Sequence, residues 1–160
     1  VPHLVLGEPP VLALEPLLRK AVEEHSAVAG SKGVSLEISV EPAVTARADA
    51  DLLARVVDNL LGNAVKFTPQ GGRVTVSARA EGEVVTICVK DTGPGIAPED
   101  IPLIFDRYHQ AQARRDGKIK GNGLGLAFCR EALKAMGGQI SVRSQPGLGS
   151  EFVVTLPVAS

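Results

Sequence analysis

Asn59 and Asn63 stand four residues apart in DNLLGNAVKFT (58–68), and Lys66 follows three further on. At helical spacing the three share neighbouring parts of one face, beside an apolar stripe of Leu53, Val57, Leu60, Leu61 and Ala64. A lone asparagine in such a place is ordinarily solvated surface. Two carboxamides and an ammonium together suit a nucleotide, because amide oxygens ligate Mg2+ among its waters and a lysine neutralises phosphate oxygens. On spacing alone, the solvated face and the nucleotide site stay equally open.

Two glycine-rich stretches lie downstream. DTGPGI (91–96) follows a strand-like run, and its glycines and proline make a tight turn whose backbone can approach a ligand. A plain turn explains the glycines but not Asp91 at its mouth, where a carboxylate can accept a hydrogen bond from an exocyclic amine. GNGLGL (121–126) opens a helix, where exposed N–H groups and the positive end of the helix dipole favour an anion. It lacks the third glycine of the G-x-G-x-x-G fingerprint, and a basic loop precedes it where a dinucleotide fold needs a strand. Gly117-Lys118-Ile119 does not complete a Walker A motif either, since Gln112 and Ile119 occupy its glycine and hydroxyl positions.

These stretches must be held by a framework, and 160 residues suit one domain with its own core. Apolar residues make up 44% and aromatics only 3%, so that core is aliphatic. With 17 basic and 18 acidic side chains, no global field favours nucleic acid or an anionic membrane. Cys88 and Cys129 form no C-x-x-C pair and read as buried thiols of a reducing compartment. No run has the length and apolarity of a membrane span, and no signal-peptide pattern opens the chain.

The proline-rich start (1–16) reads as an extended lead-in, and Pro16 fits the first turn of a helix reaching AGSKG (29–33). VSLEISV (34–40) alternates as a strand, Asp49 caps the next helix, and TPQGG (68–72) ends it. RVTVSARA (73–80) and VVTICVKD (84–91) form a hairpin, and an irregular segment from Thr92 to Gly125 suggests a lid. A helix from about Leu124 to Met136 and two strands, QISVRS (139–144) and SEFVVTLP (150–157), close the chain. The order predicts an α+β fold with helices on one face of a mixed, mostly antiparallel sheet.

In combination, these stretches make the chain resemble the ATP-binding catalytic domain of bacterial sensor histidine kinases, in the superfamily shared with the gyrase B subunit and mismatch-repair ATPases. NLLGNAVKFTP matches the N box, DTGPGI the first glycine box, IFDRYHQ the F box, GNGLGLAFC the second glycine box and GLGSEF the last, across about residues 12 to 157. The resemblance implies the Bergerat fold: a two-layer α/β sandwich of three helices on a five-stranded mixed sheet, with ATP beneath a long lid. It implies Asn63 as the main Mg2+ ligand with Asn59 beside it, Asn59 and Lys66 as the catalytic residues near the phosphates, and Phe67 lining the pocket. It further implies Asp91 on the adenine amino group and Gly93, Gly95 and Ile96 shaping the adenine side. Gly121, Gly123, Leu124, Gly125 and Leu126 would carry backbone amides to the phosphates, Phe105 would anchor the lid, and Arg107 and Tyr108 would reach the nucleotide from it. Gln110 departs from the arginine many members carry there. Arg114, Arg115, Lys118 and Lys120 are candidates to substitute for it, although a solvated charged loop is the simpler reading.

The family's phosphoacceptor histidine is followed by an acidic residue and a nearby proline, and His3, His25 and His109 all lack that context. The expectation is a cytoplasmic catalytic domain (12–160) with a lead-in (1–11) from a dimerisation and phosphoacceptor region carried elsewhere in a longer parent, membrane-anchored or soluble. Its partners would be that region and a response-regulator receiver domain, with no nucleic acid and no direct membrane contact. Two alternatives remain in view: a degenerate nucleotide-binding regulatory module, and an anti-sigma serine kinase of related fold, which the full F box and long lid disfavour.

Overall fold

Asp49 starts the central helix by accepting the Leu52 N–H at 2.9 Å, which satisfies one of the amides a helix leaves bare at its first turn. A computed structural model describes residues 9–106 and 125–158. In chain order its elements are β1 (Val11–Ala13), α1 (Leu14–Lys32), β2 (Ser35–Val40), β3 (Thr45–Arg47), α2 (Ala50–Phe67), β4 (Arg73–Glu81), β5 (Val84–Asp91), α3 (Gly125–Ala135), β6 (Gln139–Gln145) and β7 (Gly149–Pro157). A 3-10 turn, Ile101–Leu103, lies between β5 and α3.

The sheet order is β2-β4-β5-β7-β6. β2 runs parallel to β4 and every other neighbouring pair is antiparallel. The expected two-layer sandwich is therefore present, with α1, α2 and α3 on one face. Alternation sets that face: Val85, Ile87 and Val89 of β5 and Phe152, Val154 and Leu156 of β7 are buried, while their neighbours in sequence are more open.

Helix α2 is the centre of the helical layer. Leu53, Val56, Val57, Leu60, Leu61, Ala64 and Val65 are all buried, and each fully buried aliphatic side chain favours folding by roughly 1.5–3 kcal/mol over its exposed state. Helix α1 packs on one flank of α2, and the His25 ring meets Asp58 Oδ1 at 2.7 Å across that seam. Helix α3 packs on the other, where the Arg55 guanidinium lies 4.2 Å from the centre of the Phe128 ring.

Sequence reading missed one feature. Within the lead-in, Val11–Ala13 pairs antiparallel with Thr45–Arg47, joining Val11 to Arg47 and Ala13 to Thr45. Two three-residue strands beside prolines are too short to show an alternating pattern. The other regular elements fall within a residue or two of expectation, including the hairpin of β4 and β5 turning at Gly82, whose φ is 62°.

Candidate functional site

The phase that Asp49 sets for α2 leaves Asn59 and Asn63 half-buried at the rim of its apolar stripe, with Lys66 and Phe67 exposed in the last turn. That turn is held from outside the helix. Thr68 closes it through N–H and hydroxyl bonds to the Ala64 carbonyl, at 3.0 and 2.7 Å. From α1, the Lys32 ammonium donates to the carbonyls of Val65 at 2.7 Å and Lys66 at 2.6 Å, a favourable place for a cation at a helix C-terminus. The Lys66 ammonium lies 5.5 Å from the centre of the Phe67 ring.

Asp91 ends β5 and is only 8% exposed. Its Oδ1 accepts the Gly93 N–H at 2.8 Å and the Ser150 N–H at 3.3 Å. Burial raises its pKa above the ordinary 3.8, and the two amides offset part of that rise. The turn after Asp91 lies directly on α2: a Cβ at Gly93 would stand 3.1 Å from the Phe67 carbonyl oxygen. Gly95, with φ of 77°, lies so close to the Gln145 backbone that a side chain there would collide with it. The Pro94 carbonyl accepts the Gly147 N–H at 2.7 Å, and the Ser144 hydroxyl accepts the Ile96 N–H at 2.7 Å. The first and last glycine-rich boxes are thus interlocked.

At the other end of the strip, Gly125 is buried at the start of α3. A Cβ there would sit 3.3 Å from the Asn59 carboxamide, so any larger residue would press that side chain aside by a few tenths of an ångström. One turn along α3 the buried Cys129 thiol donates to the Val56 carbonyl at 3.8 Å and feels the same carboxamide. Burial pushes that thiol up to about 12, with the Asn59 carboxamide a smaller opposing influence. Phe105, at the base of the irregular segment, packs edge-on against Phe152 with ring centres 6.3 Å apart.

The strip from Asn59 to Phe67, roughly 12 Å at 1.5 Å per residue, therefore runs from the start of α3 to the Asp91 turn. Asn59, Asn63, Lys66, Phe67, Asp91, Gly93, Gly95, Ile96, Gly125 and Leu126 all belong to these joined pieces. Arg107, Tyr108, Gly121, Gly123 and Leu124, with Gln110 and the basic residues of the segment, lie outside the described residues.

Three residues of the site were not singled out from sequence: Lys32, Ser144 and Ser150. Ser144 and Ser150 had a readable signal, since Asp91 pairs with Ser150 and Ser150 with Ser144 in register. They form one polar row at the end of a sheet face whose next row is Val89, Phe152 and Val142.

Residues 48–160 match the family described as histidine kinase-, DNA gyrase B- and HSP90-like ATPase. Sensor histidine kinase RcsC of Escherichia coli (strain K12) is 39% identical over 79% of the chain, which spans 14% of that protein. Sensor histidine kinase WalK of Bacillus subtilis (strain 168) is 41% identical over 68% of the chain, which spans 18% of it. Among solved structures, full-length ShkA in complex with AMPPNP superposes with a TM-score of 0.82 at 36% identity, covering 96% of this chain and 32% of that one.

Proposed function

Since the chain belongs to the family of histidine kinase-, DNA gyrase B- and HSP90-like ATPases and is the catalytic ATP-binding domain of a sensor histidine kinase, we propose that it binds Mg-ATP along α2 and donates the γ-phosphate to a histidine on a separate dimerisation domain, for relay to a receiver aspartate. The observation that carries this reading is the joining of three sequence boxes around one helix: Asn59 against Gly125 at one end, the Phe67 carbonyl against Gly93 at the other.

In this reading Asp91 accepts the adenine amino group, and Gly93, Gly95 and Ile96 form the wall beside the base. Phe67 covers the base or ribose, and Lys66 neutralises phosphate. The amides opening α3 face the phosphate chain, with the helix dipole favouring negative charge there. Arg107, Tyr108, Gly121, Gly123 and Leu124 belong to the same site by position in the motifs.

The donor set fits magnesium of one kind. Among the described residues no group of three His, Cys, Asp or Glu could hold a metal, and two neutral carboxamides cannot fix a dication alone. Their hard oxygens suit an Mg2+ that arrives with the phosphates, Asn63 as the main ligand and Asn59 beside it. When bound, the ion spreads and neutralises charge on the transferring phosphoryl group. The protein's own contribution is positioning: α2, anchored at both ends, presents the carboxamides and Lys66 on neighbouring parts of one face, and positioning is most of what phosphoryl transfer asks of an enzyme.

The chain spans 14 to 18% of these two relatives. In this reading the acceptor histidine belongs to another part of the protein, residues 12–160 form the catalytic unit and 1–11 are the lead-in to it. Among the described residues no helix is long and apolar enough to cross a membrane, and we place the domain in the cytoplasm, where ATP and receiver domains are found. Mixing the chain with a dimerisation domain bearing the acceptor histidine and γ-labelled ATP should give an acid-labile phosphohistidine. Intact ATP binding with no transfer to any acceptor would instead favour a regulatory nucleotide-binding module.

A further inference from the structure

Asp91, Ser150 and Ser144 stand side by side on three neighbouring strands, β5, β7 and β6, on the helix-facing side of the sheet. The Ser144 hydroxyl has three neighbours: the Ile96 N–H at 2.7 Å, the Gly149 carbonyl at 3.0 Å and the Ser150 hydroxyl at 2.9 Å. The first can only donate and the second can only accept. Ser144 has one hydrogen to give, and only one arrangement makes all three contacts hydrogen bonds: that hydrogen goes to the Gly149 carbonyl, and one lone pair receives Ile96. What remains toward Ser150 is a lone pair, and the Ser150 hydrogen turns inward to meet it.

From this we infer that Ser144 is a positioning residue that sets the hydrogen polarity of the row and thereby the purine it accepts; the inference rests on the reading of the site as a nucleotide pocket with its base at Asp91. With its hydrogen committed to Ser144, Ser150 offers a ligand only lone pairs. Asp91 is likewise an acceptor, with Oδ1 already engaged by Gly93 and Ser150. A row of acceptors suits an exocyclic amine, a donor, and opposes the carbonyl that a 6-oxopurine carries in its place. Without the Ser144 hydroxyl, the Ser150 hydrogen is free to turn outward and donate to that carbonyl.

The test compares affinities for ATP and for inosine triphosphate, by calorimetry, with thermal unfolding of each variant. The wild type should prefer ATP, and Ser144→Ala should lower that preference by about tenfold, the size expected when one half-buried hydrogen bond is lost and its partner turned. Ser144→Thr, which keeps the hydroxyl, should restore it. In a Ser150→Ala background, Ser144→Ala should leave the ratio of the two affinities unchanged, because there is no second hydroxyl left to orient. Ser150→Ala keeps the Ser144 bonds to Ile96 and Gly149, so the cycle stays informative should Ser144→Ala lose stability. Equal weakening of both nucleotides by Ser144→Ala would reduce the residue to a structural role and overturn the inference. A folded wild type that binds neither nucleotide would instead remove the nucleotide-pocket reading and the inference with it.

Discussion

Replacing Asp91 by asparagine separates binding from folding at the point where the two conflict. The substitution keeps the shape, and the carboxamide oxygen can still accept from Gly93 and Ser150, now 2.8 and 3.3 Å from Oδ1. The other oxygen becomes an NH2 group, a donor where the adenine amine also donates. Losing a hydrogen bond to a charged acceptor costs about 1.5–3 kcal/mol, so ATP affinity should fall roughly 10- to 200-fold. Stability should move the other way. Burial holds the Asp91 pKa above its unfolded value, so the protonated form stabilises the fold below the ordinary 3.8, and that contribution is lost as pH rises through the folded pKa. At pH 7 the buried charge therefore opposes folding, and Asp91→Asn should raise or maintain Tm there, with the gain shrinking as pH falls through the folded pKa and gone below 3.8. Thermal unfolding across pH and a calorimetric ATP titration measure both halves. An asparagine variant less stable than wild type at pH 7, or one binding ATP as tightly, would refute the reasoning.

Four other outcomes are expected. Gly125→Val should weaken ATP binding and cost about 1–3 kcal/mol of stability, because any Cβ there meets the Asn59 carboxamide at 3.3 Å; denaturant titration reads the cost. Lys32→Met should loosen the last turn of α2, lowering Tm by about 2–4 °C for each kcal/mol lost and weakening ATP binding, while Lys32→Arg should recover much of both. Asn63→Ala should abolish magnesium-dependent phosphotransfer with little change in Tm, since this half-buried side chain lies outside the core. Cys129 favours the fold fully below its ordinary 9.0 and loses that contribution as pH rises towards about 12, so stability should decline above pH 9.0, and a thiol-reactive probe at pH 8 should label Cys129 only on unfolding.

Most of the framework was legible because each period is repeated enough to be read. Helix α2 carries its apolar stripe through five turns and β5 alternates from Val84 to Asp91, so both were located within a residue. The strands β1 and β3 were not, since three residues give no period and their pairing is a tertiary event. Within the site, Asn59, Asn63 and Lys66 were visible as polar residues breaking a helical stripe. Lys32 was not, because it acts on α2 from the end of α1 and a lysine in the last turn of a helix looks like any solvated cation. Ser144 and Ser150 needed the strand register: each is an ordinary serine in its own strand, and only their alignment with Asp91 makes the row.

Everything above depends on a nucleotide lying along α2, and a calorimetric titration of the wild-type chain with ATP in the presence and absence of Mg2+ tests that most directly. One molecule of ATP should bind per chain, with affinity that strengthens on adding magnesium and loses that dependence in Asn63→Ala. A folded chain that gives no binding heat up to millimolar ATP, or a magnesium dependence that survives in Asn63→Ala, would contradict the assignment.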